Sequence, residues 1–177
     1  MSLMAETGGR SGFAAVVARS VTLWALAGGA LLLVVVLINA LSVLGGIFGF
    51  AVSGDFELTE MGVAVAVFAF LPYCQLTDAN VTADIFTAKA SPPVLAALRA
   101  LASVIAVGFA AILLWRMSMG MLDQKGYNYT TTILQIPIWW AFVPVLVSLA
   151  LLVAAALLSL TEALRAARGG SRNGARE

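Results

Sequence analysis

Residues 20–38 read SVTLWALAGGALLLVVVLI, and this stretch decides the fold. No charged residue interrupts it between Arg19 and Asn39. Along an α-helix these two residues are about 30 Å apart, which equals the thickness of the hydrocarbon core of a bilayer. The apolar core of a signal peptide is shorter, so we expect the segment to be retained as an anchor. The sequence therefore predicts a first membrane span over about residues 20–50.

Three further apolar stretches predict membrane spans at about residues 58–77, 92–119 and 133–160. The polar residues 78–90 between the second and third spans predict a short segment lying along the membrane interface. We therefore expect an all-α, integral membrane four-helix protein.

The predicted spans divide the chain into three parts. Residues 1–19 are expected to form a cytoplasmic segment, residues 20–161 the membrane domain, and residues 162–177 a flexible cytoplasmic tail rich in Gly, Arg and Ser.

Composition agrees with a membrane protein and excludes several classes of function. Hydrophobic residues make up 62% of the 177 residues, charged residues 11%, and the mean hydropathy is +1.00. With a net charge of +1 and no basic stripe, the chain lacks the charge pattern of a nucleic-acid-binding protein. It has one cysteine, Cys74, and no histidine, which excludes disulfide pairing within the chain, Cys/His zinc sites and histidine-based triads. We expect no enzyme activity and no cofactor in this chain.

The distribution of Lys and Arg predicts the orientation in the membrane. Eight basic residues fall on the side that holds both termini, and two fall on the other side. We therefore expect both termini to lie in the cytoplasm. The eight are Arg10, Arg19, Lys89, Arg99, Arg165, Arg168, Arg172 and Arg176, and the two are Arg116 and Lys125.

Polar and aromatic side chains near the predicted spans supply the candidate functional residues. Amides within a bilayer need hydrogen-bond partners, and carboxylates near its surface either engage basic or amide groups of nearby helices or loops or are simply solvated. Trp and basic residues near the ends of spans favour the membrane interface. The candidate structural or partner-facing residues are Asn39, Glu57, Glu60, Gln75, Asn80 and Asp84. The candidate interfacial anchors are Trp24, Arg99, Trp115, Arg116, Trp139 and Trp140.

Small residues at four-residue spacing, such as Gly45 with Gly49 and Gly62 with Ala66, indicate faces where helices approach closely in lipid. No ionisable residue lies in the middle of a predicted span, where a proton-coupled carrier normally keeps one.

Two other classes of function remain open at this point. An autonomous four-helix transporter or channel would need an embedded charge or a polar face lining a pore. A membrane-bound enzyme would need a convergent set of reactive groups, for which Asp55, Glu57 and Glu60 form the available acidic cluster.

Five sequence features resemble one membrane protein family. They are GDFEL at residues 54–58, FLPYCQL at 70–76, NVTADIFT at 80–87, TTILQIPIWW at 131–140, and Pro144. Together with the length and the number of spans, they are similar to the small permease subunit of tripartite TRAP transporters, the DctQ type.

The resemblance assigns places to three polar residues. Glu57 stands where the family has an acidic residue at the start of span 2. Asn80 and Asp84 stand at the polar positions of the motif that follows span 2. The sequence departs from the family pattern at Asn80, where many members have His, and at Phe56, near a common Trp.

The resemblance implies a membrane subunit that scaffolds a large transport subunit (M type) and works with a periplasmic solute-binding protein (P type). Such systems carry organic acids or related solutes with sodium, and sodium would bind the large subunit. The chain would then lie in the bacterial inner membrane.

Overall fold

The structure, a computed structural model, describes residues 12–50, 52–77 and 92–173. Four helices make up most of these residues: α1 (Gly12–Ile47), α2 (Asp55–Leu76), α3 (Pro92–Gly126) and α4 (Trp139–Asn173). Each is long and apolar enough to cross a membrane. The expected all-α four-helix membrane fold is confirmed. The predicted interfacial segment lies outside the described residues.

The ends of the helices differ from the predicted spans, most of all in α4. This helix begins at Trp139, whereas span 4 was predicted from residue 133. The preceding residues cannot be helical, because Pro137 pairs with Thr130 in an antiparallel bridge and Gln135 has φ +55°. At its other end α4 continues to Asn173, into the predicted tail.

The continuation of α4 has a local cause. Residues 161–168 read TEALRAAR, in which Ala, Leu, Glu and Arg are strong helix formers. Helix propensity therefore extends α4 beyond the apolar stretch that crosses the bilayer.

Helix α4 is the centre of the bundle, because α1, α2 and α3 all pack against it. Helix α1 packs mainly on α2, and α3 packs mainly on α4. The best-buried side chains are small or aliphatic, among them Val21, Ala66, Leu149 and Ala155, all fully buried. Small side chains allow helix axes to come close, which is how helices associate in lipid.

The interface between α1 and α2 has a regular register. Three pairs of residues meet across it: Gly28 with Ala69, Val35 with Gly62, and Ser42 with Asp55. On both helices these residues are seven positions apart, which is the repeat of a left-handed helix pair. The descending order on α2 shows that the two helices are antiparallel.

Two glycines make this approach possible. A Cβ atom added at Gly28 would lie 2.7 Å from the Cβ atom of Ala69. One added at Gly62 would lie 2.5 Å from a methyl carbon of Val35. Gly62 and Ala66, the small pair noted in the sequence, are both buried here.

Gly45 and Gly49 were expected to lie in a contact between helices. In the structure they instead form the turn that ends α1. The amide of Phe50 donates to the carbonyl of Gly45 at 2.9 Å, and Gly49 has φ +84°. A left-handed residue of this kind is common just after the end of a helix and favours glycine.

Candidate functional site at one end of the bundle

The C-terminal ends of α1 and α3 and the N-terminal ends of α2 and α4 carry most of the polar contacts between helices and loops. We call the connection between α3 and α4, residues 127–138, the α3–α4 loop. It crosses from α3 to α4 and passes over the start of α2.

Glu57 joins the start of α2 to the tip of the α3–α4 loop. One carboxylate oxygen accepts the backbone N–H of Ile133 at 2.7 Å, and the other accepts that of Leu134 at 2.9 Å. Hydrogen bonds to an ionised carboxylate are stronger than those between neutral groups. Glu57 therefore fixes a loop that is 76 residues distant in sequence.

The loop has a compact shape of its own. The amide of Thr131 donates to the carbonyl of Ile136 at 2.9 Å, and that of Ile138 donates to the carbonyl of Tyr129 at 3.0 Å. Gln135 takes the left-handed conformation that the turn requires. These bonds hold the amides of the tip in place to face Glu57.

Gly54 lets the loop rest directly on the start of α2. It has φ +80°, and a Cβ atom added there would lie 2.5 Å from Cγ of Leu134. Both the backbone angle and the space therefore require glycine.

A second polar cluster ties α1 to α2 close to the same end. The side-chain amide of Asn39 donates to the hydroxyl of Thr59 at 2.6 Å and to the carbonyl of Val35 at 2.8 Å. The hydroxyl of Ser42 donates to the carboxylate of Asp55. The polar side chains of Asn39 and Ser42 are thus paired inside the chain.

Trp24 connects α1 to α4, closer to the N-terminal end of α1 than Asn39 is. Its indole N–H donates to the hydroxyl of Ser148 at 2.8 Å, and that hydroxyl donates to the carbonyl of Pro144. Ser148 is almost completely buried. Trp24 and Pro144 also line an apolar groove of about 270 Å³ beside Gly28 and Ala69.

The remaining predicted anchors have varied surroundings. Trp115, Arg116 and Trp140 are exposed. Trp139 is partly buried, and the ammonium group of Lys125 lies 5.3 Å from its ring centre. Arg99 belongs to α3. Their interfacial role stays a prediction.

The other candidate polar residues do not form a single site with Glu57 in the described part of the chain. Glu60 is exposed on α2, and Gln75 is partly buried in the last turn of that helix. Asn80 and Asp84 lie outside the described residues. Within residues 12–50, 52–77 and 92–173, no three His, Cys, Asp or Glu side chains are grouped as a metal site. The absence of a cofactor stays a prediction.

Sequence reasoning missed Ser42, Thr59, Ser148 and Gly54 as structural contacts. The contacts of Ser42 and Thr59 could have been predicted from the short connection between α1 and α2, because it places the end of α1 opposite the start of α2. For Ser148 and Gly54 the partners come from distant parts of the chain, and no local pattern indicates them.

A match to a protein-family model identifies the family of this chain. The model described as Tripartite ATP-independent periplasmic transporters, DctQ component, matches residues 43–166. The chain belongs to the DctQ family. No curated protein and no solved structure matches it.

DctQ membership makes the chain a component of a tripartite transporter, which works with the other components of that system. The family is one of transporter components and not of enzymes. With four candidate spans among the described residues, this DctQ protein is a multi-pass membrane protein. The matched region contains α2, α3, the α3–α4 loop and most of α4, and therefore includes Glu57 and both partner amides.

Proposed function

We propose that this DctQ protein is the small membrane subunit that scaffolds the large M-type transport subunit. The assembled transporter takes up an organic-acid-type solute with sodium, delivered by a P-type periplasmic binding protein. Sodium binds the large subunit, and this chain carries no cofactor and no catalytic site.

The observation that carries the proposal is the family match over residues 43–166, which places the chain in a multi-component transporter. The geometry supports a scaffolding role. Hydrogen bonds within the chain link α1 to α2 at Asn39 and α1 to α4 at Trp24. Large apolar side chains on α1 and α3, such as Leu37 and Phe109, face outward and are more than half exposed. A bundle held together inside and apolar outside suits packing against another membrane protein.

The proposed location is the bacterial inner membrane, with both termini in the cytoplasm. The excess of basic residues on the side of the termini supports this orientation. In a Cys74→Ala background, Gly126→Cys should react with an impermeant thiol reagent added from outside, and Ser171→Cys should not. The reverse pattern would contradict the orientation. Gly126 suits the test, because no heavy atom lies within 4 Å of a Cβ added there.

Co-purification tests the scaffolding proposal directly. The large membrane subunit of the same transporter, carrying an affinity tag, should retain this chain through detergent extraction and washing. An unrelated tagged membrane protein of similar size should not retain it. A chain that leaves the large subunit under conditions that keep both proteins folded would contradict the proposal.

A further inference from the structure

The register of α1 and α2 locates the edge of the hydrocarbon core. Because Val35 lies opposite Gly62 and Ser42 opposite Asp55, Glu60 is level with about residue 37 of α1. Glu60 is exposed, and a charged side chain is costly inside the hydrocarbon, so this level lies at or outside its edge. From Arg19 to that level α1 rises about 27 Å, close to the thickness of the core.

Helix α1 stays apolar and exposed well beyond that edge. Ile47 is 74% exposed, and Phe48 and Phe50 are both 71% exposed. Residues 43–47 stand about 9 to 15 Å above the level of Glu60. The headgroup layer on one side of a bilayer is only about 5 to 8 Å thick. We name this surface the apolar knob, and it consists of Val43, Leu44, Ile47, Phe48 and Phe50.

The apolar knob has a defined shape. The turn after α1 is closed by the bonds that the amides of Phe48 and Phe50 donate to the carbonyl of Gly45, at 3.0 and 2.9 Å. The rings of Phe48 and Phe50 are stacked, with centres 6.2 Å apart. The surface is thus formed within the chain before any partner binds.

Its surroundings define the chemistry of the partner. Residues 43–60 contain the acids Asp55, Glu57 and Glu60 and no Lys or Arg. An exposed apolar surface outside the hydrocarbon core is typical of a protein interface. The segment that follows it in the chain carries acids and no base, which favours a partner with positive charge. The exposed apolar surface of α1 also continues below that edge, at Leu33 and Val36. A partner that covers both levels must itself span the membrane.

We propose that the apolar knob docks into an apolar groove, flanked by Lys or Arg, on the large membrane subunit of the same transporter. The groove lies where that subunit emerges from the bilayer on the side of Glu57. This inference rests on the proposed function, because it takes the large subunit as the membrane partner. The new element is the face of this chain that contacts the large subunit outside the hydrocarbon core.

Site-specific photo-crosslinking in membranes that contain the full transporter tests the proposal. A benzophenone amino acid replaces Phe48 in one variant and Leu122 in the matched control. Leu122 is 57% exposed and lies about 9 Å beyond Arg116 at the same end of the bundle. Crosslinking from position 48 to the large subunit, at least about five times stronger than from position 122, is the expected result. Products with lipid, with a second copy of this chain or with the binding protein in its place would overturn the proposal.

A paired substitution separates this inference from the proposed function. Ile47→Gln with Phe48→Gln should lower co-purification with the large subunit at least about tenfold, whereas Leu122→Gln should leave it unchanged. Circular dichroism and gel filtration of each variant alone check that the bundle remains folded. If wild-type and paired variant co-purify equally, the knob is not the docking surface and the scaffold role stands. If the folded wild-type chain does not co-purify at all, the scaffold role fails as well.

Discussion

The α1–α2 interface and the contact between Glu57 and the α3–α4 loop hold the same protein together by different means. Across the interface, Gly28 and Gly62 let two long helices touch along their apolar faces. At the loop, a carboxylate holds two backbone amides close to solvent. Helices in lipid gain stability from close packing. Irregular backbone also needs hydrogen-bond partners, and here the carboxylate of Glu57 supplies two of them.

The largest effect is expected from closing the space at the α1–α2 interface. Gly28→Ala should lower the free energy of unfolding by about 1–3 kcal/mol, because the new methyl group would overlap Ala69 and overpacking carries that cost. The greater helix propensity of Ala, worth about 1 kcal/mol, opposes the loss. Equilibrium unfolding of the chain in mixed micelles measures the change.

Gly108→Ala on α3 is the matched control for this substitution. No heavy atom lies within 4 Å of a Cβ added at Gly108, so its stability should be unchanged or slightly raised. Equal stability of the two variants would show that α1 and α2 do not approach as closely as described.

A smaller effect is expected where a single hydrogen bond links α1 to α4. Trp24→Phe removes the donor to Ser148 while keeping an aromatic ring in place. Hydrogen bonds between membrane helices contribute about 0.6 kcal/mol on average, so we expect a loss of that order in the same unfolding measurement. Trp140→Phe changes an exposed ring and should have no such effect. A loss that is the same for both variants would point to general effects of tryptophan in the micelle.

The smallest effect on global stability is expected at Glu57, where the consequence should be local. Glu57→Ala frees the amides of Ile133 and Leu134, so hydrogen exchange in the α3–α4 loop should become faster while α1 and α2 exchange as before. Glu57→Gln should give an intermediate rate, since its remaining oxygen can accept one of the two bonds. Glu60→Ala should leave the loop unchanged. Loop exchange that is unaffected by Glu57→Ala would mean that the carboxylate does not hold the loop.

Sequence reasoning succeeded where local composition decides the structure. The apolar run between Arg19 and Asn39 predicts a membrane helix whatever its neighbours are, and the small pair Gly62 and Ala66 predicts a close contact. The family motifs likewise led to DctQ, which the match over residues 43–166 bears out.

The start of α4 could not be predicted in this way. Residues 133–138 are apolar enough to continue a span, but Glu57 binds the amides of Ile133 and Leu134, and Pro137 pairs with Thr130. These bonds depend on the three-dimensional arrangement of α2 and α3. For the same reason, no sequence pattern predicts that Trp24 donates to Ser148.

Transport in proteoliposomes tests the central claim, that this DctQ protein supports transport by a partner and does not carry solute itself. Three preparations would be compared under a sodium gradient, with binding protein and labelled solute outside: this chain alone, the large subunit alone, and both together. We expect sodium-dependent uptake only with both membrane subunits. Uptake by this chain alone, or full uptake by the large subunit without it, would show that this chain does not have a supporting role.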